Sequence, residues 1–335
     1  MQYPKFLKEG FKIGIPAPSS SAEDELHIKR YQNAIKNWEE LGYQLFLSKN
    51  LFHAEKARSA SAKERGEEIN KMWNEADALI CASGGEFLVE CLPYIDFKTI
   101  SKSPKLIAGF SDPTGLLYPL TTKYDIATIY GSNFSFLGAE KQFQNDYDFL
   151  DCIKGKKTSF DSYPLYEEER IERVTGLEAN HYTGKVEWKT LSNKKEEWRG
   201  RIIGGCLDVI AELIGTSYDG FSSFHKKYKK DGIIWYFDNC ALSMEEVIRT
   251  LWKMNEFHYF DDCKGVIFGR FGIESSFIGY DLKTCLEDCI INELKIPIIY
   301  DADISHKAPS LPIINGSIAE VTCKDGKGNI TFHLE

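Results

Sequence analysis

Apolar positions fall in short runs of strand length that alternate with longer stretches of helical spacing through the first half of the chain. Phe11–Ala17 predicts a first strand running into the loop Pro18-Ser19-Ser20-Ser21. Ile28, Tyr31, Ile35, Trp38 and Leu41 share one face of a helix that Gly42 stops. Its start offers two capping boxes, Ser20 with Glu23 or Ser21 with Asp24. Tyr43–Leu47 predicts a second strand, Lys63–Ala76 a helix with Ile69, Met72 and Trp73 inward, and Ala78–Cys81 a third strand ending at Ser83-Gly84-Gly85. Leu106–Ala108 is a fourth, followed by a helix over Thr114–Thr122, and Ile126–Tyr130 is the fifth. Such alternation implies a mostly parallel sheet with helices on both faces. Ligands bind such sheets at the carboxyl ends of the strands, where Gly84-Gly85 and Ser111 fall.

From Lys141 to Arg199 the pattern weakens, and Tyr163–Arg173 is charged and irregular. It resumes near Arg201. Ile202–Leu207 leads into a helix through Leu213 and Ile214, and Ile233–Phe237 predicts a strand ending at Asp238-Asn239. A helix through Val247, Leu251 and Met254 comes next, then a strand at Gly265–Phe268. Pro297–Tyr300, the loop Asp301–Ala308 and two strands, Ile318–Cys323 and Asn329–His333, close the chain. The expected organisation is an N-terminal domain (1–165), a linker region (166–200) and a C-terminal domain (201–335).

Composition narrows the function classes. The 335 residues are 43% hydrophobic and 27% charged, with a formal net charge of −9. That balance argues against nucleic-acid and anionic-membrane partners, which need a concentrated basic face. The one basic cluster, His225–Lys230, reads as a solvated stretch before the next strand. No apolar run approaches the roughly 20 residues of a membrane span, and the N-terminus lacks a signal core. The nine cysteines are odd in number and contain no CxxC pair. They fit free thiols in a reducing compartment better than disulfides or zinc. Without HExxH or Cys/His ligand spacing, no metal or cofactor is expected.

The chemistry centres on Gly109-Phe110-Ser111-Asp112-Pro113. A serine on a sharp strand-to-helix turn is a nucleophile elbow, or it caps the helix that Pro113 opens. Among the seven histidines, His306 stands in the loop after Ile298–Tyr300, as a base or as an ordinary loop residue. Asp238 ends an apolar strand, where a carboxylate orients a histidine or caps the segment near Ser243.

These residues resemble the LD-carboxypeptidase family of serine peptidases, which includes the microcin C immunity peptidases. The resemblance runs through Gly14-Ile15-Pro16-Ala17-Pro18-Ser19, Gly84-Gly85 with Leu92–Asp96, Gly109–Thr114, and Gly204–Leu207 with Gly215-Thr216. It continues through Asp238-Asn239, Arg249 with Leu251, and Ser305-His306 with Leu311-Pro312. It implies an α/β fold: an N-terminal, mostly parallel sheet flanked by helices, flavodoxin-like or glutamine-amidotransferase-like, plus a smaller α/β C-terminal domain. It also implies a triad of Ser111, Asp238 and His306, with the backbone N–H groups of Gly85 and Asp112 as oxyanion donors. Gly84 and Arg249 are the candidate substrate contacts, since a carboxypeptidase must hold a free carboxylate. The family expectation is a cytoplasmic homodimer without cofactor. It releases terminal D-alanine from murein tetrapeptide in cell-wall recycling or, alternatively, cleaves peptidyl- or aminoacyl-nucleotide amides. Three departures stand out: Asp238-Asn239 where relatives carry Glu-Asp, Leu242 in place of a Glu, and Ser83 and Glu86 around the glycine pair. A silent ligand-binding relative is the non-enzymatic alternative. Trp188 and Trp198 are either nucleobase-stacking or packing residues.

Overall fold

A computed structural model describes residues 1–22 and 24–335. Two sheets organise the molecule. The first has six strands in the order Ile313–Asn315, Thr128–Tyr130, Leu106–Gly109, Ala78–Ile80, Lys12–Ile15, Gln44–Leu47. All its pairings are parallel except the contact of Ile313–Asn315 with Thr128–Tyr130. The second has eight strands, with Glu196–Cys206, Ile233–Asp238, Cys263–Gly269 and Ile298–Ala302 parallel at its heart. Antiparallel strands flank them: Ile318–Lys324, Lys327–His333 and Ser159–Asp161 on one side, and Lys189–Thr190 on the other.

The helix Glu25–Glu40 begins at Asp24, whose carboxylate accepts from the His27 amide at 2.8 Å. Ser21 is not its partner, because that hydroxyl donates to the Leu51 carbonyl. The Ser20–Glu23 alternative lies outside the described residues. The buried face carries Tyr31, Ala34 and Trp38, together with Arg30, and it leaves Leu41 39% exposed. Leu41 therefore drops out of the expected apolar stripe. The helix Ala62–Glu75 starts on a reciprocal capping box of Ser61 and Glu64.

The stretch 166–200, expected as a linker, carries Lys189–Thr190 and the start of Glu196–Cys206. Strands two residues long are too short to show a period. Trp188 and Trp198 are buried here as packing residues. The sheets also exchange strands. Ser159–Asp161 joins the second, and Ile313–Asn315 returns to close the first. Cys285 and Cys289, four residues apart, fall on and just before two separate short helices, Leu282–Glu287 and Ile290–Glu293.

Between the sheets lies the helix Thr114–Thr122, all nine of whose residues are buried. It packs against the first sheet's Thr128–Tyr130 and the second sheet's Glu196–Cys206. The Thr114 hydroxyl accepts from the Cys206 amide at 3.0 Å, and Tyr118 stacks on Trp235. A helix that is apolar all round has no solvent face, so each sheet covers one side of it. Leu117, 0% exposed, is part of this shared core. Leu117→Ala is expected to lower the unfolding free energy by about 2–5 kcal/mol in urea titration. A loss under about 1 kcal/mol would contradict a core at native packing density.

Candidate active site

The strand Leu106–Gly109 ends where the chain must turn sharply into the buried helix. Ser111 takes that turn in the left-handed region, at φ +71°. A serine there is strained, and the strain points its side chain away from the helix it precedes. The Thr114 amide bonds back to the Ser111 carbonyl at 2.9 Å. The cap position itself is held by Pro113, without a side-chain bond, so Ser111 does not cap the helix.

Three elements converge on the hydroxyl. His306 Nε2 lies 2.8 Å from Ser111 Oγ, and His306 Nδ1 lies 2.8 Å from Asp238 Oδ2. The ring N–H is not aimed along that second contact, which is an ion pair rather than an aligned hydrogen bond. Asp238 is the last residue of Ile233–Asp238 and is fully buried. Its Oδ1 accepts from the His306 backbone amide at 3.2 Å, and its Oδ2 from the Tyr130 hydroxyl at 2.8 Å. A carboxylate one methylene shorter than a glutamate's thus reaches the ring with the histidine's backbone sitting against it.

Burial opposes a charge on His306, but Asp238 and, after it, Cys240 together outweigh burial and lift the imidazole pKa from 6.5 to about 10. Tyr130 is fully buried, and burial followed by Asp238 raises its pKa well above the ordinary value, so its hydroxyl stays a donor. The same oxygen accepts from the Ser111 amide at 3.3 Å. Tyr130 therefore joins the Ser111 backbone to the Asp238 carboxylate. Sequence reading placed Tyr130 only as the end of a strand, and nothing in its spacing set it apart from a core tyrosine.

The glycine pair packs against the elbow. A Cβ on Gly84 would sit 3.0 Å from Ser111 Cβ; one on Gly85, at φ +152°, would meet Ser19 Oγ at 2.3 Å. Side chains are excluded at both. The amide N–H groups of Gly85 and Asp112 donate to no other described residue. The Asp112 carboxylate is buried and bonded to the Ser19 hydroxyl and, at 2.9 Å, the Leu88 amide. It thereby ties the elbow to the loop below Gly85. Arg249 is not brought to the site: it faces solvent, 3.9 Å from Glu246.

The histidine loop has its own anchor. Arg270 binds Asp303 at 2.5 Å and donates to the carbonyls of Lys307 at 3.1 Å and Pro309 at 2.9 Å. Asp303 also accepts from Trp188 at 2.9 Å and the Tyr163 amide at 3.0 Å. Trp188, one of the two candidate stacking residues, is thus committed to holding this loop. Seven of the nine cysteines are buried free thiols, Cys240 and Cys263 being partly exposed.

A hydroxyl, an imidazole and a buried carboxylate in contact, beside two unspent amides, are the equipment for covalent acyl transfer. Fold and site define a hydrolase of the serine-carboxypeptidase class. Comparison with known families matches residues 13–131 to the LD-carboxypeptidase N-terminal domain and 199–321 to the LD-carboxypeptidase C-terminal domain. The chain belongs to the LD-carboxypeptidase family. A putative carboxypeptidase of Vibrio cholerae is 25% identical over 338 residues, covering 93% of this chain and 92% of that protein. A probable murein peptide carboxypeptidase of Bacillus subtilis is 24% identical over 330 residues, covering 94% and 90%. The solved microcin C7 self-immunity protein MccF, in complex with aspartyl sulfamoyl adenosine, shares the fold at a TM-score of 0.84 and 20% identity, covering 100% of this chain and 99% of that one.

Tyr130→Phe is expected to leave a buried carboxylate oxygen and the Ser111 amide short of a partner. The cost is about 1–3 kcal/mol of stability in urea titration. His306, still beside Asp238, should keep titrating above 6.5 when followed by NMR. A stability change near zero would show that the hydroxyl does not bridge the two groups.

Proposed function

We propose that the protein is a serine carboxypeptidase in which Ser111 attacks a scissile amide carbonyl while His306 takes its proton. Asp238 holds the ring and steadies the imidazolium. The amides of Gly85 and Asp112 receive the oxyanion, with Gly84 lining the approach. His306 then protonates the leaving amine, and water releases the acyl group by the reverse sequence. The observation carrying this reading is the unbroken run of contacts from Ser111 Oγ through His306 to Asp238. Retention of all three groups with two free amides argues against a silent binding relative.

The substrate favoured by family membership is a murein tetrapeptide losing its terminal D-alanine. A murein peptide carboxypeptidase is among the relatives that match most of the chain. The second reading, cleavage of an aminoacyl-nucleotide amide, draws on the solved MccF complex with aspartyl sulfamoyl adenosine and on Ser83 standing before the glycine pair, where carboxypeptidase-type relatives tend to carry arginine. A cytoplasmic homodimer acting in wall recycling belongs to the first reading. Among the described residues no helix is long and apolar enough to cross a membrane. The same reading keeps 1–165 and 201–335 as two domains, joined through 166–200 and through the strands they exchange.

Incubation with murein tetrapeptide and mass spectrometry of the products tests the assignment. Loss of one D-alanine is expected, with Ser111→Ala reducing turnover by several orders of magnitude, on the order of 10⁴-fold or more. Turnover of any amide that survived Ser111→Ala would refute the mechanism. Labelling of Ser111 by a serine-directed phosphonate tests the nucleophile without reference to substrate.

The pH profile follows from His306. The base must be neutral to accept a proton, and its pKa is raised, so the acid limb of kcat/KM is expected on the alkaline side of 6.5. Asp238→Asn removes the charge that raises the value and leaves the burial that lowers it. Its acid limb should therefore move to lower pH, while kcat falls by about 10⁴-fold from loss of ring orientation. A limb unmoved by that substitution would assign it to another group.

A further inference from the structure

The cleft at His306 is lined by several cationic side chains, and one of them, Arg30, is buried. A cavity of about 230 Å³ is walled by His306 and Phe110 and also by Arg30, Arg173, Lys141 and Asp146. A second, of about 540 Å³, shares His306, Arg173, Asn180 and Ala308 with it. Four arginines are buried in this fold. Three sit on carboxylates: Arg65 on Glu90 at 2.8 Å, Arg201 on Asp231 at 2.7 Å and Arg270 on Asp303 at 2.5 Å. Arg30 does not. Its Nε donates to the Ser135 carbonyl at 3.2 Å and its Nη1 to the Glu178 carbonyl at 2.8 Å. Among the described residues, Nη2 has no partner.

Of the three acids that act on it, Glu140 is exposed and makes no ion pair with it, and the other two are occupied. The Glu178 carboxylate accepts from the amides of Val174, Thr175 and Gly176 in its own turn. Asp146 accepts from the Phe143 amide and from Asn145, and burial lifts its pKa to about 6, which weakens its charge. Arg173 is exposed, lines both cavities and has no hydrogen bond or ion pair with a described residue. Burial, and then the charge of Arg173, lowers the Arg30 pKa to about 10, against the opposing pull of Asp146, Glu178 and Glu140. Structural arginines that only clamp carbonyls do not need a second guanidinium close by. An anion does, because paired planar donors match its oxygens.

We propose that Arg30 and Arg173 form a subsite for an anionic oxygen group of the substrate, held beside the amide that Ser111 attacks. This rests on the peptidase reading above and fills the place that Arg249 leaves empty. The group is a carboxylate or a phosphate-like centre. The first would come from the free end of a peptide and the second from an aminoacyl nucleotide.

The test is binding, measured by calorimetry on the full chain carrying Ser111→Ala, alone and with Arg173→Ala or Arg30→Gln added. The probes are a murein tetrapeptide, the same peptide as its C-terminal amide, and an aminoacyl sulfamoyl adenosine. The acid peptide is expected to bind about tenfold or more tightly than the amide, with either arginine substitution erasing the difference. If the sulfamoyl ligand is the one that loses about tenfold, the subsite reads the nucleotide's anion instead. Acid and amide peptides weakened equally, or all three ligands bound within about twofold of the parent affinity or not at all, would overturn the subsite. Arg173 is exposed and has no hydrogen bond or ion pair with a described residue, so Arg173→Ala keeps the test valid should Arg30→Gln fold poorly. Phosphonate labelling of Ser111 in the chain with all its residues intact separates the two claims: label without charge-dependent binding removes only the subsite, and absence of label removes the peptidase reading beneath it.

Discussion

The Asp238 carboxylate is fully buried, and everything around it is arranged to answer its charge. An ion taken out of water is tolerable only when its oxygens are paired. Here three groups from two places serve as partners: the Tyr130 hydroxyl at the end of a first-sheet strand, and the ring and backbone amide of His306 on a loop of the second half. No one sheet holds all of them. The acid is satisfied only when the sheets are docked, and docking also covers both sides of the helix Thr114–Thr122. The hydrophobic term that drives the sheets together and the polar term that assembles the site therefore favour the same arrangement. Loss of the docked interface would leave a buried charge with its partners gone, so a partly opened molecule is disfavoured twice over.

The short acid explains the second buried network. An aspartate reaches less far than a glutamate, so the His306 backbone must approach it closely enough to donate at 3.2 Å. A loop left to itself would not hold such a distance. The Arg270–Asp303 pair, the two carbonyls that Arg270 gathers, and the Trp188 and Tyr163 donors to Asp303 remove the loop's freedom. The stretch around Trp188 that looked like linker in the sequence is the other side of this clamp. Its irregular pattern reflects its duty: it follows the surface of a loop, and neither a helix nor a long strand would fit there.

The residues that the structure brings together at strand ends were legible in the sequence. Ser111, Asp238 and His306 each follow an apolar run, and the helix Thr114–Thr122 was read with its observed limits. Tyr130 and Arg30 were not. A tyrosine ending a strand has the same pattern whether its hydroxyl meets water or an acid. An arginine between apolar helix positions reads as solvent-facing until the carbonyls of Ser135 and Glu178, both distant in sequence, are folded onto it. Arg249 shows the converse failure. The motif placed it near the site, yet three-residue spacing from Glu246 on an amphipathic helix puts it in solvent. Side chains whose role depends on partners in the other sheet carry no local signal.

The last constraint is electrostatic. The chain carries a net charge of −9, and a site for an anion within it looks self-defeating. At physiological ionic strength, however, exposed charges are screened beyond about 8 Å. Screening removes the far surface from the account and leaves what lines the cleft, where Arg30, Arg173 and Lys141 outnumber Asp146. Of these, Arg30 is buried and the least screened. The global charge then acts on long-range encounter, while the local charge sets the field inside the cleft beside His306. The two need not share a sign, and here they do not.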